Sequence, residues 1–420
     1  MRMKVRALIG LLFLVLLGFL ASCGKTSSSV GSGTGFLFVT TQGDNLVSPF
    51  TINLGTGVIT AKDKGVTTGN APSVPTAMVL APSGSALFVA NSNPGNSTTP
   101  PAAGNVTSYT VNADGTLTAV SASQPLGINP SDMAIDPAGH FLFVANQGVQ
   151  SDMSGTISVF SVQGTTLTEM FQTPTGTALA AAGPVAVAVT PDAKFLYVAN
   201  QFDASVTEYS VDQSSGALTP VGVPYPVRTT PSALAVVVFP DTSNPTGEFL
   251  YVANTGSNNV SAFAICDQAT ASCNSSNVNN PDGALTEVPA SGSLPGSPFP
   301  AGTGPVSIAA DPSGTFLYVA DKGSNQVSEY KIGPGNGFLT ALSSPTISTG
   351  ATPVWLAIRA GTSTVKATGG TTNFLYVANM GSGVGSSSIS AYAFDSTTGA
   401  LGVVGAPVTT GVQPSAIAVK

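Results

Sequence analysis

Charged side chains are scarce in this chain of 420 residues, since Asp, Glu, Lys and Arg make up 8% of it, against roughly 25% in an average soluble domain. Surface helices need such side chains on their solvent face, and 47 glycines and 31 prolines would interrupt them. The composition therefore predicts an all-β chain of many short strands and turns. Hydrophobic residues at 42% and a net charge of −7 exclude a disordered chain. Because the balance is acidic, with a pI near 4.5, we expect no nucleic-acid partner.

The amino-terminal segment predicts export rather than structure. Arg2, Lys4 and Arg6 precede an apolar run over 7–20, which fits a secretory signal. The run is shorter than the about 20 residues that a membrane-spanning helix needs.

Cysteine is rare, with three residues in the chain, and the first follows this run. Residues 20–23, Leu-Ala-Ser-Cys, resemble the bacterial lipobox, in which the cysteine is lipidated and the chain is cut before it. The resemblance implies a lipoprotein signal peptide at 1–22, then a lipidated Cys23 with a flexible linker over 23–35. We expect a monomer in the cell envelope, at the outer membrane or periplasmic face, that touches the membrane through its lipid anchor only. The alternative is an ordinary signal peptide with an incidental cysteine.

After the linker the sequence repeats itself seven times. Each copy begins with a hexamer such as Phe-Leu-Tyr-Val-Ala-Asn and continues with a strand of alternating β-branched and aromatic residues. A Gly-x-Leu-Thr element follows at Gly115, Gly216, Gly283 and Gly337, with looser forms at Gly57, Thr165 and Gly399. The hexamers start at Phe36, Ala86, Phe141, Phe195, Phe249, Phe316 and Phe374. A strand that begins with proline precedes every hexamer but the first. These prolines are Pro75, Pro130, Pro184, Pro231, Pro305 and Pro353. Each repeat is therefore predicted to hold four strands.

The two ends of the repeat region indicate how it is closed. Copy one lacks its proline strand, yet residues 413–419 form such a strand with no hexamer after it. The two fragments complete one unit, so we predict a seven-bladed β-propeller over 36–420 that is closed by pairing the C-terminal strand with the first hexamer. An open solenoid, the competing architecture, would have to cap its exposed edges.

The remaining two cysteines, Cys266 and Cys273, lie in an insertion that lengthens the fifth repeat. In a non-reducing compartment we expect them to form a disulfide, the alternative being two free thiols.

The Tyr-Val-Ala-Asn segments at 197, 251 and 376 resemble the Tyr-Val-Thr-Asn (YVTN) repeat of the lactonase-type seven-bladed propellers, the family that includes 6-phosphogluconolactonase-like proteins. The resemblance implies that the proline strands are innermost, with their first residues around one mouth of the axial channel. Enzymes of the family place a His at the start of an inner strand, with Arg and Glu nearby. The corresponding starts here are Pro-Ser-Asp at 130–132, Pro-Val-Ala at 184–186 and Pro-Ser-Ala at 231–233.

This departure decides the functional prediction. Because the His, Arg and Glu set is missing, we expect a lipid-anchored binding or interaction scaffold, with no catalytic residue assigned and an unknown protein, glycan or small molecule as its ligand. The alternative is a lactone hydrolase with a diverged active site.

The scarcity of histidine also limits metal and nucleophilic chemistry. The single one, His140, lies in a turn predicted at the opposite mouth, so a Ser-His-Asp triad and a histidine zinc site are excluded. No cofactor is expected. Calcium is harder to dismiss, because it needs only oxygen ligands and five aspartates are predicted near one mouth, although such residues usually form turns. They are Asp44, Asp132, Asp152, Asp203 and Asp321.

The candidate ligand site follows from a break in the repeat. The third position of the inner strand is Ala or Ser in five copies, but it is Asp132 and Trp355 in the other two. With Arg228 and Lys322 on nearby loops they would offer an aromatic platform, a carboxylate and two cations for a sugar or an acidic ligand. In the alternative interpretation Trp355 fills space and Asp132 caps a turn.

Overall fold

A computed structural model describes residues 33–69, 73–93, 102–120, 123–149, 155–174, 183–239, 247–266, 281–290, 295–361, 372–383 and 385–420. Cys23, Asp152 and Cys273 lie outside these residues, as do the predicted signal peptide and most of the linker.

The described residues form 33 strands in seven antiparallel sheets, which we call blades 1 to 7. Blades 1 to 3 contain, in chain order, β1 (Thr34–Thr41), β2 (Leu46–Asn53), β3 (Ile59–Ala61) and β4 (Val66–Thr67); β5 (Val74–Leu80), β6 (Ala86–Ser92), β7 (Ala103–Val111), β8 (Leu117–Ala119) and β9 (Gln124–Ile128); and β10 (Pro130–Ile135), β11 (Phe141–Asn146), β12 (Thr156–Gln163) and β13 (Thr166–Pro174).

Blades 4 and 5 contain β14 (Pro184–Val189), β15 (Phe195–Asn200), β16 (Ser205–Val211), β17 (Leu218–Pro220) and β18 (Tyr225–Pro226), then β19 (Pro231–Phe239), β20 (Gly247–Asn254), β21 (Asn259–Ile265), β22 (Leu285–Glu287) and β23 (Phe299–Pro300). Blades 6 and 7 contain β24 (Pro305–Ala310), β25 (Phe316–Asp321), β26 (Gln326–Ile332) and β27 (Leu339–Ser348), then β28 (Pro353–Arg359), β29 (Thr372–Asn379), β30 (Ser388–Asp395), β31 (Leu401–Val403) and β32 (Val408–Thr409), and the last strand is β33 (Pro414–Val419). None of the described segments is a helix that could span a membrane.

The inner strands form a closed ring around one axis, which confirms the predicted seven-bladed propeller. Each inner strand contacts the inner strands of both neighbouring blades, in the order β5, β10, β14, β19, β24, β28, β33 and back to β5. The ring is closed as predicted, because β33 pairs antiparallel with β1 in blade 1, Leu37 opposite Val419 and Val39 opposite Ile417.

The buried hydrophobic side chains of the described segments form seven clusters, one between each pair of neighbouring blades. The hexamer strands are buried on both faces, so they read as continuous apolar runs rather than as an alternating pattern. This is why the hexamer is the clearest repeat in the sequence.

Two of the repeated motifs lock neighbouring blades together. The tyrosine of the hexamer donates a hydrogen bond to the glycine carbonyl of the Gly-x-Leu-Thr element in the next blade, as in Tyr251 to Gly337 at 3.0 Å and Tyr318 to Gly399 at 2.6 Å. These glycines have positive φ, and a Cβ there would strike the first Phe of the preceding hexamer. The motifs are thus structural.

The hexamer ends in an asparagine that is equally structural. In blade 4 the Asn200 side chain donates to Thr207 Oγ1 at 2.9 Å, and in blade 5 Asn254 donates to Ser261 Oγ at 3.0 Å. Asp321 takes this place in blade 6 and accepts from Ser328 Oγ at 2.6 Å.

Two details differ from the sequence-based expectations. Among the described residues, five blades carry a short fifth strand, which pairs with the same strand as the fourth does. In the other two blades β13 and β27 run on as single long outer strands with a register shift. Strand β1 also begins at Thr34, inside the predicted linker, because Thr34 and Gly35 continue the ladder opposite Asn53 and Ile52.

Candidate functional site

A bulge near the start of each inner strand sets the direction of its third residue. In every blade the register shifts between the proline and the third residue, so the second residue bulges out of the ladder. A bulge turns the following side chain and increases the local twist. The third positions of all blades therefore lie at the same level around the axis, and this is where Asp132 and Trp355 are found.

A cavity of about 240 Å³ lies on the axis at this level. Inner strands of blades 3 to 7 supply its walls. The lining residues are Ser131, Asp132, Met133, Val185, Val187, Ser232, Ala233, Leu234, Val306, Ser307, Ile308, Trp355 and Leu356. Asp132 and Trp355, selected from the sequence only because they break a repeat, thus line the same axial cavity.

Asp132 is the one ionisable residue among the described residues that line the axial cavity. Its Oδ2 atom accepts a hydrogen bond from Val187 N of the next blade at 3.0 Å. Burial raises the pKa of the Asp132 carboxyl to about 7, although hydrogen bonds from the backbone N–H groups of Val187 and Met133 act to lower it. A carboxyl group that titrates near neutral pH is able to exchange a proton there.

Ser307 shows what part of this arrangement is structural. It occupies the third position of β24, and its Oγ atom accepts from Leu356 N of the next blade at 3.0 Å. The bond from Val187 to Asp132 is therefore an inter-blade link that a neutral serine also makes. The charge of Asp132 is not needed for that link.

Trp355 is half-buried and packs against the clusters on both sides of blade 1. Its side chain fills part of the ring interior and also lines the axial cavity. Trp355 therefore fits both interpretations, because its side chain fills space between blades and also offers a surface to the cavity.

Arg228 and Lys322, the two predicted cations, are not among the residues that line the axial cavity. Arg228 pairs with Glu287 on β22, with Nη2 3.0 Å from Oε1. Lys322 is exposed directly after β25, where its backbone N–H donates to Gly304 O at 2.9 Å. The structure brings Asp132 and Trp355 together and leaves the two cations outside.

The other predicted site residues have local roles. His140 is exposed in the turn between β10 and β11. Among the aspartates weighed as calcium ligands, Asp44 accepts from Val412 N, while Asp203 accepts from Ser205 Oγ at 3.0 Å. No group of three or more His, Cys, Asp or Glu side chains suited to a metal occurs in the described part of the chain.

Cys266 is buried directly after β21. Its predicted partner Cys273 lies outside the described residues, so the disulfide stays a prediction.

Sequence reasoning missed the serines that line the axial cavity. The hydroxyls of Ser131 and Ser232, at the second position of their strands, donate to the proline carbonyls of the next inner strands, Pro184 and Pro305, both at 2.9 Å. A Ser or Thr at this position in four copies was the signal available in the sequence.

Comparisons with known proteins agree with this architecture. Residues 73–151 and 149–277 match the family described as "Lactonase, 7-bladed beta-propeller". The chain is 28% identical over 188 residues to the 6-phosphogluconolactonase of Pectobacterium carotovorum subsp. carotovorum, a match that covers 44% of this chain and 48% of that protein. It is 27% identical over 188 residues to the 6-phosphogluconolactonase of Pectobacterium atrosepticum, with the same coverage. The chain thus spans about half the length of the curated relatives it matches.

Solved structures share the fold over most of their length. The periplasmic gluconolactonase of Pseudomonas aeruginosa superposes with a TM-score of 0.68 at 21% identity, covering 92% of this chain and 99% of that one. A protein from Lactobacillus plantarum gives 0.66 at 18% identity, covering 92% and 100%.

The resemblance to the lactonase-type seven-bladed propellers, first drawn from the Tyr-Val-Ala-Asn segments, is therefore confirmed. The preference for a noncatalytic scaffold finds no support in these comparisons, which favour the lactonase alternative.

Proposed function

We propose that this protein hydrolyses small lactones in the axial cavity, with Asp132 as the general base. One observation carries the proposal. The carboxyl group with a pKa of about 7 lies in the same cavity as the single tryptophan of the chain, at the centre of a lactonase-type propeller. The named relatives supply the reaction class.

The proposed reaction needs little more than this carboxylate. Ionised Asp132 accepts a proton from a water molecule as the water oxygen attacks the lactone carbonyl carbon. The ester C–O bond then breaks, the proton passes to the leaving alkoxide, and a hydroxy acid is formed. The Trp355 ring offers an apolar face for the C–H groups of a sugar ring. Ser307 accepts its hydrogen bond from Leu356 N, so its own O–H proton can serve the carbonyl oxygen.

The charge of the axial cavity favours an unphosphorylated substrate. Among the described residues that line it there is a carboxyl group and neither Lys nor Arg. A phosphate group would meet an uncompensated negative charge once Asp132 ionises. We therefore expect a preference for neutral sugar lactones, in contrast with the 6-phosphate substrate in the names of the Pectobacterium relatives.

The test is hydrolysis of gluconolactone and its 6-phosphate by the purified protein, with the spontaneous rate subtracted. Asp132→Asn keeps an oxygen for the Val187 N–H and removes the base. It should lower kcat/KM for gluconolactone by about 10²–10⁴ while near-UV circular dichroism stays unchanged. In the wild type kcat/KM should rise with pH through about 7, as Asp132 ionises. The matched control is His140→Gln in the exposed turn, which should keep the wild-type rate.

Two results would overturn the proposal: wild-type protein that does not exceed the spontaneous rate on either lactone, or an Asp132→Asn variant as fast as the wild type. Faster turnover of the 6-phosphate would overturn only the substrate preference.

We also propose that the propeller works as a lipid-anchored protein of the cell envelope. The lipobox-like residues 20–23 support this location. Cys23→Ala should move the protein from the membrane fraction to the soluble fraction, because that change removes the site of acylation. A variant that stays in the membrane fraction would contradict the anchor.

A further inference from the structure

A second cavity lies away from the axis, between the outer parts of blades 4 and 5. Its volume is about 220 Å³, and its walls come from β16, the β17–β18 segment and the start of β22. The lining residues are Val206, Glu208, Val221, Gly222, Val223, Tyr225, Pro281, Ala284 and Leu285. Val223 is 70% exposed, so the cavity opens to solvent beside it.

Glu208 is the polar feature of this cavity. Glu208 is buried, with 7% of its surface exposed, and its Oε1 atom has no hydrogen-bond partner among the described residues. A buried polar atom without a partner is unfavourable and rare in folded proteins. Among the described residues Glu208 Oε1 thus lacks a hydrogen-bond donor, and a bound ligand could supply one.

Glu329 occupies the same position in blade 6 and has no such need. Both glutamates lie opposite the tyrosine of their hexamer, Tyr197 and Tyr318. Glu329 is 1% exposed, but its Oε2 atom accepts from Leu401 N of the next blade at 2.9 Å. The described residues thus supply a hydrogen-bond donor to the glutamate of blade 6 and none to Oε1 of the glutamate of blade 4. The other five blades carry residues here that do not ionise, namely Pro49, Ser108, Val159, Ala262 and Ala391.

The charges around Glu208 point to a cation. Burial, and after it the negative charge of Asp282, raise the pKa of the Glu208 carboxyl to about 8. The other titratable groups on the elements packed around it are Tyr225 on β18 and Tyr197 on β15, whose hydroxyl donates to Gly283 O at 2.6 Å. Further along β22, Glu287 is already paired with Arg228, with Oε1 3.0 Å from Nη2. Neither Lys nor Arg occurs among the described residues that line this cavity.

We propose that this cavity binds a small aliphatic ammonium compound. The ammonium group donates to Glu208 Oε1, and the carbon chain packs against Val206, Val221 and Leu285. The cavity volume equals that of about seven water molecules in the liquid, which suits a chain of about four carbons. This proposal does not depend on the lactonase activity, because the cavity lies in the outer part of two blades and shares no residue with the axial site.

Binding of a cation is coupled to ionisation of Glu208. Below pH 8 the carboxyl is mostly protonated, so the ammonium ion must displace a proton to form the ion pair. A primary amine itself stays protonated up to about pH 10. Affinity should therefore be roughly tenfold weaker at pH 7 than at pH 9, with almost one proton released per ligand at pH 7.

Calorimetric titration of the purified protein with n-butylammonium chloride tests the proposal, with 1-butanol as the uncharged probe of the same length. We expect saturable binding of one n-butylammonium ion, weakened roughly tenfold from pH 9 to pH 7, and at least tenfold weaker binding of 1-butanol. Glu208→Gln should abolish the ammonium binding, whereas the matched variant Glu329→Gln should retain it.

Equal binding of the two probes, unchanged binding by Glu208→Gln, or no saturation at pH 9 would overturn the proposal. If Glu208→Gln fails to fold, the wild type still decides the matter. Titrations at pH 7 in buffers of different ionisation enthalpy measure the released proton, and no release would overturn it. Glu208→Gln should hydrolyse lactones at the wild-type rate, because the two proposals concern different cavities.

Discussion

Blades 5 and 6 meet through Tyr251 and Gly337 in the same way as blades 6 and 7 meet through Tyr318 and Gly399. The side chains around the axis are less regular, since Asp132 lies where most other blades carry alanine. A residue that recurs in every copy has the same neighbours in every copy, so it is explained by the architecture. A residue that departs from the repeat needs a separate explanation, and both cavities described above contain such residues.

The carboxyl groups with a raised pKa also belong to residues that depart from the repeat. Four described carboxyl groups have a raised pKa: Asp132 at about 7, Glu208 at about 8, Asp321 at about 6 and Glu329 at about 7. Each replaces a residue that does not ionise in most other copies. Burial is the largest cause in all four, because the repeat places these positions in the interior whatever side chain they carry.

The largest effect is expected from opening the ring, because the repeated contacts between blades depend on its closure. Deleting residues 413–420 removes β33, exposes the inner edge of β1 and opens the contacts of β33 with β28 and β5. We expect aggregation or several thermal transitions in place of one, measured by circular dichroism and scattering. A truncated protein that unfolds in one transition at the parental temperature would show that closure is dispensable.

The next largest effect concerns the pH dependence of stability that the four carboxyl groups with a raised pKa cause together. An acid whose pKa is raised by folding stabilises the protein fully below its unfolded pKa of about 4, and this contribution is lost as pH rises through the folded pKa. For these four groups the window runs from about pH 4 to about pH 8. The free energy of unfolding in urea should therefore be higher at pH 5 than at pH 8.

Glu329→Gln is the control for this window, because it removes an ionisable group and should flatten the pH dependence in part. Equal stability of the wild type at pH 5 and pH 8 would contradict the assigned pKa directions.

A single repeated contact is tested by Gly337→Ala. Gly337 has φ of +68°, and a Cβ would strike the Phe249 ring of the preceding blade. Strain and overpacking together should cost about 2–4 kcal/mol of unfolding free energy. Gly405→Ala is the matched control, since Gly405 has φ of +63° and no atom of the described residues lies within 4 Å of the added carbon, so about 1–2 kcal/mol is expected from strain alone. Equal costs for the two variants would mean that the contact with Phe249 adds nothing.

The sequence was sufficient to predict the propeller because its signals are local and recur. Each hexamer is one buried strand, and the missing proline strand of copy one is visible as residues 413–419. The same periodicity located Asp132 and Trp355, since a ring of equivalent strands brings equivalent positions to one level.

The side-chain contacts between distant segments could not be predicted in this way. Arg228 was placed near the mouth from its position in the chain, but its partner Glu287 lies 59 residues further on, on the outer strand of the next blade. Glu208 and Glu329 look alike in sequence, yet they differ in whether the next blade presents an N–H to them. Such differences depend on backbone placement that no local pattern encodes.

The smallest expected effect concerns one hydroxyl group of the repeated contact. Tyr318→Phe removes the hydrogen bond to Gly399 O and should lower the unfolding free energy by about 1 kcal/mol. The ring itself should fit unchanged, because Phe38, Phe88 and Phe143 fill the equivalent position of blades 1 to 3 and are fully buried there. Urea unfolding at constant pH measures the difference. A variant as stable as the wild type would mean that the aromatic ring alone joins the blades, and that the tyrosines of blades 4 to 7 add no stability to the contact that the phenylalanines of blades 1 to 3 already make.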